Sequence, residues 1–204
     1  MTREEILRRA GIAVGLNLFT LPLQEAEERI RQSPWVAEVR LERRLPDGIA
    51  IAVTERSPAA MVQTDGKLYL VDQMGRPFKR ALIDRGEGAG LLVVSGVGRA
   101  LFRDDAAAAT ALTGYALRVV TDWRAAPDRP AIGEVHLGRD GVTLYTLEGA
   151  TAIAVGRGER GAFDRFDDVW NALSPDERAA ARTIYLNGRT RTGRAVVTLG
   201  AGTR

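Results

Sequence analysis

Residues 38–53 carry the pattern that most narrows the fold. Val39 and Leu41 alternate with Glu38, Arg40, Glu42 and Arg44, the period of a strand with one face in water. Pro46-Asp47-Gly48 turns the chain, and Ile49, Ile51 and Val53 return with the same parity. A lone hairpin is marginal in water, so this apolar face needs a cover. Two upstream helices are the local candidates. Thr2, with Glu5 three residues on, has the spacing of a capping box; Ile6, Leu7 and Ala10 share a face and Gly11 ends the turn. After an apolar link with Leu16, Leu18, Phe19 and Leu21, a second helix begins near Pro22, carries Leu23, Ala26 and Ile30, and stops at Ser33-Pro34. Residues 1–57 therefore predict a small α-α-β-β layer with Val39, Leu41, Ile49, Ile51 and Val53 in its core.

From Pro58 onward the pattern predicts short, glycine-punctuated strands. Leu68–Val71, Leu91–Val94, Val135/Leu137, Val142/Leu144, Ala152–Val155, Thr183–Leu186 and Arg194–Leu199 are the candidates, the middle three spaced as an antiparallel meander. Leu112, Tyr115, Ala116, Val119 and Trp123 mark one helix, capped near Asp104-Asp105. Phe163, Phe166, Trp170 and Leu173 mark another, and Ser174-Pro175 opens a third with Asp176 and Glu177 in its first turn. The expected fold class is α+β: an α-α-β-β module, then a larger, mostly antiparallel β-domain with flanking helices over 58–204.

Composition removes several function classes. There is no cysteine, which excludes disulfides, thiol nucleophiles and cysteine zinc sites; His136 is the one histidine. The formal charge is +3, and Lys67 and Lys79 are the only lysines in an otherwise arginine-based set of cations. Acids are interleaved with the arginines until the end of the chain. From Arg178 onward, Arg182, Arg189, Arg191, Arg194 and Arg204 stand without an acid, which suits an acidic partner. The longest apolar stretch, Ala10 to Leu23, is interrupted by Asn17 and Pro22, short of the ~20 residues a membrane span needs.

Ser33-Pro34-Trp35-Val36, Arg43-Arg44-Leu45-Pro46-Asp47 and Val53-Thr54-Glu55-Arg56-Ser57-Pro58 resemble the POTRA module of the bacterial cell-division family FtsQ/DivIB. Gly11 with Gly15-Leu16-Asn17-Leu18 resembles that family's link, and Leu70-Val71-Asp72 with Gly75, Pro77 and Phe78 resembles the opening of its β-domain. The resemblance implies a POTRA domain over 1–57, its first strand missing, and an FtsQ-type β-domain over 58–204. It implies a non-enzymatic divisome scaffold of the inner membrane, this part lying on the periplasmic side at the division site. It implies FtsB- and FtsL-like partners, with other septal proteins on the POTRA domain. The family's tail, membrane anchor and first strand are not within this sequence. Tyr185-Leu186-Asn187 departs from the family's usual Asp-Leu-Arg.

Rival chemistry is thin. Gly156-Arg157-Gly158-Glu159-Arg160-Gly161 spells G-x-G-x-x-G between a strand and a helix, which would suit a dinucleotide enzyme, but the strands before it are hairpin-linked and too little chain follows for a nucleotide-binding half. A POTRA chaperone of outer-membrane assembly is the other alternative. His136 is expected at the surface, Ser95 lies outside any nucleophile motif, and of Asp164, Asp167 and Asp168, which crowd one helix, 164 and 168 are expected to share a solvated side beside Arg165. No cofactor, metal, catalytic group or nucleic-acid contact is expected. The site expected instead is a strand edge that a partner strand can extend: Tyr185, Leu186, Arg189, Arg191, Arg194, Ala195, Val196, Val197 and Thr198.

Overall fold

The computed structural model describes residues 1–157, 161–186 and 195–200. The chain divides into two compact units, Met1–Ser57 and Pro58–Arg204.

In the first unit α1 (Arg3–Ala10) and α2 (Leu23–Arg31) cover the antiparallel pair β1 (Val36–Arg44) and β2 (Gly48–Glu55). Val39 lies opposite Val53 and Leu41 opposite Ile51, so one face of the pair is apolar. Ala10, Ala26, Ile30, Val36, Val39 and Leu41 are buried together, with Ile49, Ile51 and Val53 packed at the margin. Fully burying Ile30 is worth about 2 kcal/mol. Only half of the capping box forms. The Thr2 hydroxyl accepts from Glu5 N at 3.2 Å, but the Glu5 carboxylate accepts from Arg9 Nε instead of turning back. Arg29 reaches from α2 to the Ala10 carbonyl at 2.8 Å, and Arg43 reaches from β1 to the Leu18 and Leu21 carbonyls. The long link between the helices is thereby held without regular structure.

The second unit holds β3 (Ala60–Thr64), β4 (Lys67–Val71), β5 (Pro77–Arg80), β6 (Val93–Ser95), α3 (Arg99–Asp104), α4 (Ala106–Trp123), β7 (Ile132–Gly138), β8 (Gly141–Thr146), β9 (Ala152–Gly156), α5 (Ala162–Ala172), α6 (Pro175–Ala180), β10 (Ala181–Tyr185) and β11 (Val196–Leu199). The strands form one nine-stranded sheet in the order β11-β10-β9-β8-β7-β6-β3-β4-β5. Pairing is antiparallel except where β6 meets β3 and β7 and where β10 meets β9. The sheet is therefore mixed, antiparallel at most of its junctions.

Three elements escape the sequence patterns. β3 is buried on both faces except at Gln63, so its residues do not alternate. β5 is four residues long and starts on proline. α3 packs with α4 but buries none of its own residues fully. Asp104 ends α3, and Asp105 alone caps α4 by accepting from Ala108 N at 2.9 Å. The expected strand at Leu91 starts two residues later, at Val93.

The core lies between one sheet face and the helices. Trp123 and Phe166 are fully buried with ring centroids 4.6 Å apart, and Trp123 Nε1 donates to the Pro130 carbonyl at 2.9 Å. Gly75 lets α4 approach the β4–β5 turn: a Cβ there would stand 2.5 Å from Gly114 N, on a backbone with φ of +83°.

Candidate partner-binding edge

The last strand is an edge. Among the described residues β11 pairs with β10 alone, Tyr185 opposite Val196, Ile184 opposite Val197 and Thr183 opposite Thr198. Ala195 and Val197 pack against the core, while Val196 (40% exposed) and Tyr185 (44%) lie side by side on the outer face. Thr198 is also exposed, and Leu199 is 46% exposed at the strand's end.

The backbone has a direction as well. Gly200 N–H donates to the Ala180 carbonyl at 2.8 Å. N–H groups along a strand alternate between its two sides. Thr198 and Val196, in phase with Gly200, then turn theirs toward β10, and Val197 and Leu199 turn theirs to the open side.

The two rims of the sheet differ. β5 starts with Pro77 and carries Lys79 and Arg80, with Lys79 ion-paired to Glu87; proline and charge blunt a sheet edge against pairing. β11 holds neither proline nor charge.

The expected contact residues do not all meet here. Leu186 is fully buried in the core; its N–H donates to the Ala154 carbonyl and its carbonyl accepts from Arg165 Nη2, both at 2.9 Å. It is structural, because the parity that exposes Tyr185 turns the next side chain inward. Arg189, Arg191 and Arg194 lie outside the described residues. Arg178 is engaged elsewhere, donating from Nε to the Trp170 carbonyl with its guanidinium 5.4 Å from the ring centre.

The glycine-rich loop sits in a setting the sequence misjudges. β9 and β10 are parallel and joined through α5 and α6, so the loop does open a β-α-β crossover. Its chemistry is wrong for a pyrophosphate. The adjacent cavity, about 390 Å³, is lined by Asp122 and Asp164, whose charge repels polyphosphate. Gly141 lets the β9 end approach: a Cβ on it would fall 2.1 Å from the Gly156 carbonyl. Residues 158–160 of this loop lie outside the described residues.

His136 is half-buried and partnered. Ser95 Oγ donates to Glu134 Oε1 and lies 2.9 Å from His136 Nδ1, so the three side chains form one polar group between β6 and β7. A serine nucleophile directs its hydroxyl hydrogen to the imidazole; here the hydroxyl donates to the Glu134 carboxylate, the arrangement of a cross-strand polar contact. Asp167, on the same helix as Asp164 and Asp168, pairs with Arg129 at 2.7 Å. Among the described residues there is no cluster of metal-ligating side chains and no helix long and apolar enough to cross a membrane.

An α-α-β-β unit followed by a mixed sheet with one unblunted rim defines a two-unit protein of POTRA-plus-β-domain class. Comparison with known proteins agrees unit by unit. The model for an FtsQ-type POTRA domain matches residues 1–56, and the model for the C-terminal part of the cell division protein FtsQ/DivIB matches residues 60–187. The chain is 34% identical over 195 residues to the cell division protein FtsQ of Myxococcus fulvus, covering 94% of this chain and 67% of that one. It is 32% identical to FtsQ of Anaeromyxobacter over 93% and 64%, and 36% identical to FtsQ of Syntrophotalea carbinolica over 76% and 55%. The chain belongs to the FtsQ/DivIB family of bacterial cell-division proteins. It spans about two thirds or less of the length of these relatives.

Proposed function

We propose that this chain is the extracytoplasmic part of a divisome scaffold that performs no chemistry and holds FtsB- and FtsL-like proteins at the septum, one of them by adding a strand to β11. The observation that carries this reading is the unblunted rim: β11 pairs on one side, and its other side bears the outward groups of Val197 and Leu199 beside exposed Val196, Thr198 and Tyr185. Main-chain pairing supplies affinity in such a contact, and alternate side chains supply selectivity. Arg189, Arg191 and Arg194 supply attraction for an acidic partner segment.

The POTRA unit would take other septal proteins on β2. The far side of β1 is met by α2, where Glu27 accepts the Leu41 N–H at 2.6 Å. Beside β2, a groove of about 410 Å³ runs between Ile49, Ile51 and the apolar link.

Leu199→Pro is the test. Proline removes an outward N–H at an exposed edge position, where it is tolerated. The expected result is an unchanged fold by circular dichroism and at least about tenfold weaker binding of an FtsB-like C-terminal segment in calorimetry. Unchanged affinity sinks the strand-addition reading.

A further inference from the structure

Four large apolar side chains of the first unit stand in water among the described residues. Val14 is fully exposed, Phe19 is 72% exposed, Leu45 69% and Leu16 50%. Three belong to the link between α1 and α2, and Leu45 belongs to the β1–β2 turn. The two loops meet at one end of the unit. Arg43, two residues before Leu45, donates to the carbonyl of Leu18, the neighbour of Phe19. Val14, Leu16, Asp47 and Gly48 line one groove there.

The link is braced in this pose. Arg43 holds the Leu18 and Leu21 carbonyls, Asn17 Oδ1 accepts from Phe19 N at 2.9 Å, and the Thr20 hydroxyl donates to the Asn17 carbonyl at 3.3 Å. Leu21 of the same link is buried, so the loop has an inner side and an outer one. A fixed outer side carrying Phe19, Leu16 and Val14 marks a contact with a protein or a membrane.

Shape and charge favour the membrane. These side chains project from two loops, and a protein partner would have to supply a pocket for each, whereas the soft boundary between headgroups and acyl chains admits apolar projections. Gly11 to Pro22 carries no charged side chain that would resist leaving water. Around the tip stand Arg3 in the groove, Arg43 under the link and Arg44, 71% exposed, beside Leu45; against them are Asp47 and Glu42, the latter 3.2 Å from Arg44. Cations outnumber acids, which suits anionic headgroups. We infer that this braced tip dips into the surface of an anionic phospholipid bilayer, Phe19, Leu45, Leu16 and Val14 entering the headgroup boundary while Arg44 stays among the phosphates. The contact lies on the surface without spanning it, and it does not depend on strand addition at β11.

Sedimentation of the 204-residue chain with vesicles of phosphatidylglycerol and phosphatidylethanolamine tests this. The chain should sediment with them at millimolar lipid, and with phosphatidylcholine vesicles at least about fivefold less. Phe19→Ser with Leu45→Ser keeps every charge. It should weaken vesicle binding at least about tenfold and leave the circular dichroism spectrum unchanged, since both side chains already stand in water. The chain has no cysteine, so a polarity-sensitive dye can be attached at Phe19→Cys and, as a control about 20 Å from Gly48 along β2, at Thr54→Cys. Vesicles should shift the emission of the first dye to the blue and leave the second unmoved. No binding to the anionic vesicles, equal binding by the double variant, or equal shifts at both dyes overturns the inference. So does a dimer in analytical ultracentrifugation that the double variant loses, which would assign the tip to a second copy.

Discussion

Arg129 and Asp167 meet side by side, Nε to Oδ1 at 2.8 Å and Nη2 to Oδ2 at 2.7 Å. The same guanidinium lies 5.3 Å from the Trp123 ring centre and 5.1 Å from that of Phe163, and its Nη1 donates to the Asp122 and Trp123 carbonyls. One arginine thus closes the C-terminus of α4, stacks on the core aromatics and clamps α5. The hydrogen bond to Asp167 holds the Arg129 pKa above its usual range. Stability from a raised pKa persists below the unfolded value and is lost only as pH climbs through the folded one. For an arginine that lies beyond ordinary buffers, so this clamp should be indifferent to pH from about 5 to 9.

Arg129→Lys should cost about 2 kcal/mol in urea unfolding, since lysine keeps the charge but loses the two-pronged geometry. Asp167→Ala should cost about 2–3 kcal/mol, because it leaves a largely buried cation unpaired; the figure is reduced for the partial exposure of Asp167.

The Glu87 carboxyl is held below its ordinary value of 4.5 first by the hydrogen bond from Lys79 and then by the Leu82 N–H. A lowered carboxyl pKa gives stability that is full above 4.5 and lost as pH falls through the folded value. Urea midpoints recorded down a pH series should drop below pH 4.5, and Glu87→Gln should remove that part of the acid loss.

Gly75→Ala should destabilise by about 3 kcal/mol. The new methyl meets the backbone of α4, which cannot retreat without lifting off the core. An unchanged melting temperature would show that the turn can shift.

Val196→Lys places charge on the open rim. It should raise the concentration at which light scattering detects self-association, while changing folding stability by less than about 0.5 kcal/mol.

NAD or ATP at millimolar concentration should move the melting temperature by less than about 1 °C, because Asp122 and Asp164 line the cavity beside the loop and repel a pyrophosphate. A larger shift would restore the nucleotide reading of the glycine-rich loop.

The first unit is legible from the chain because its signals are local. A hairpin of period two and helices of period near 3.6 must set their apolar faces together, and Val39, Leu41, Ala26 and Ile30 do so. The family motif at Gly75 was visible too, without its reason, which lies in Gly114, far along the sequence.

Sequence by itself determined the α+β class, the family and the existence of a closing strand after Thr183, since each rests on periodicity or on motifs a few residues long. Tertiary structure alone decided that β6 joins both its neighbours in parallel and β10 joins β9 in parallel, that Leu186 faces inward while Tyr185 faces out, and that β11 is a rim where β5 is a blunted one. Strand order and register come from contacts between distant segments, and a shift of one residue exchanges the faces of a strand. No local pattern carries that information.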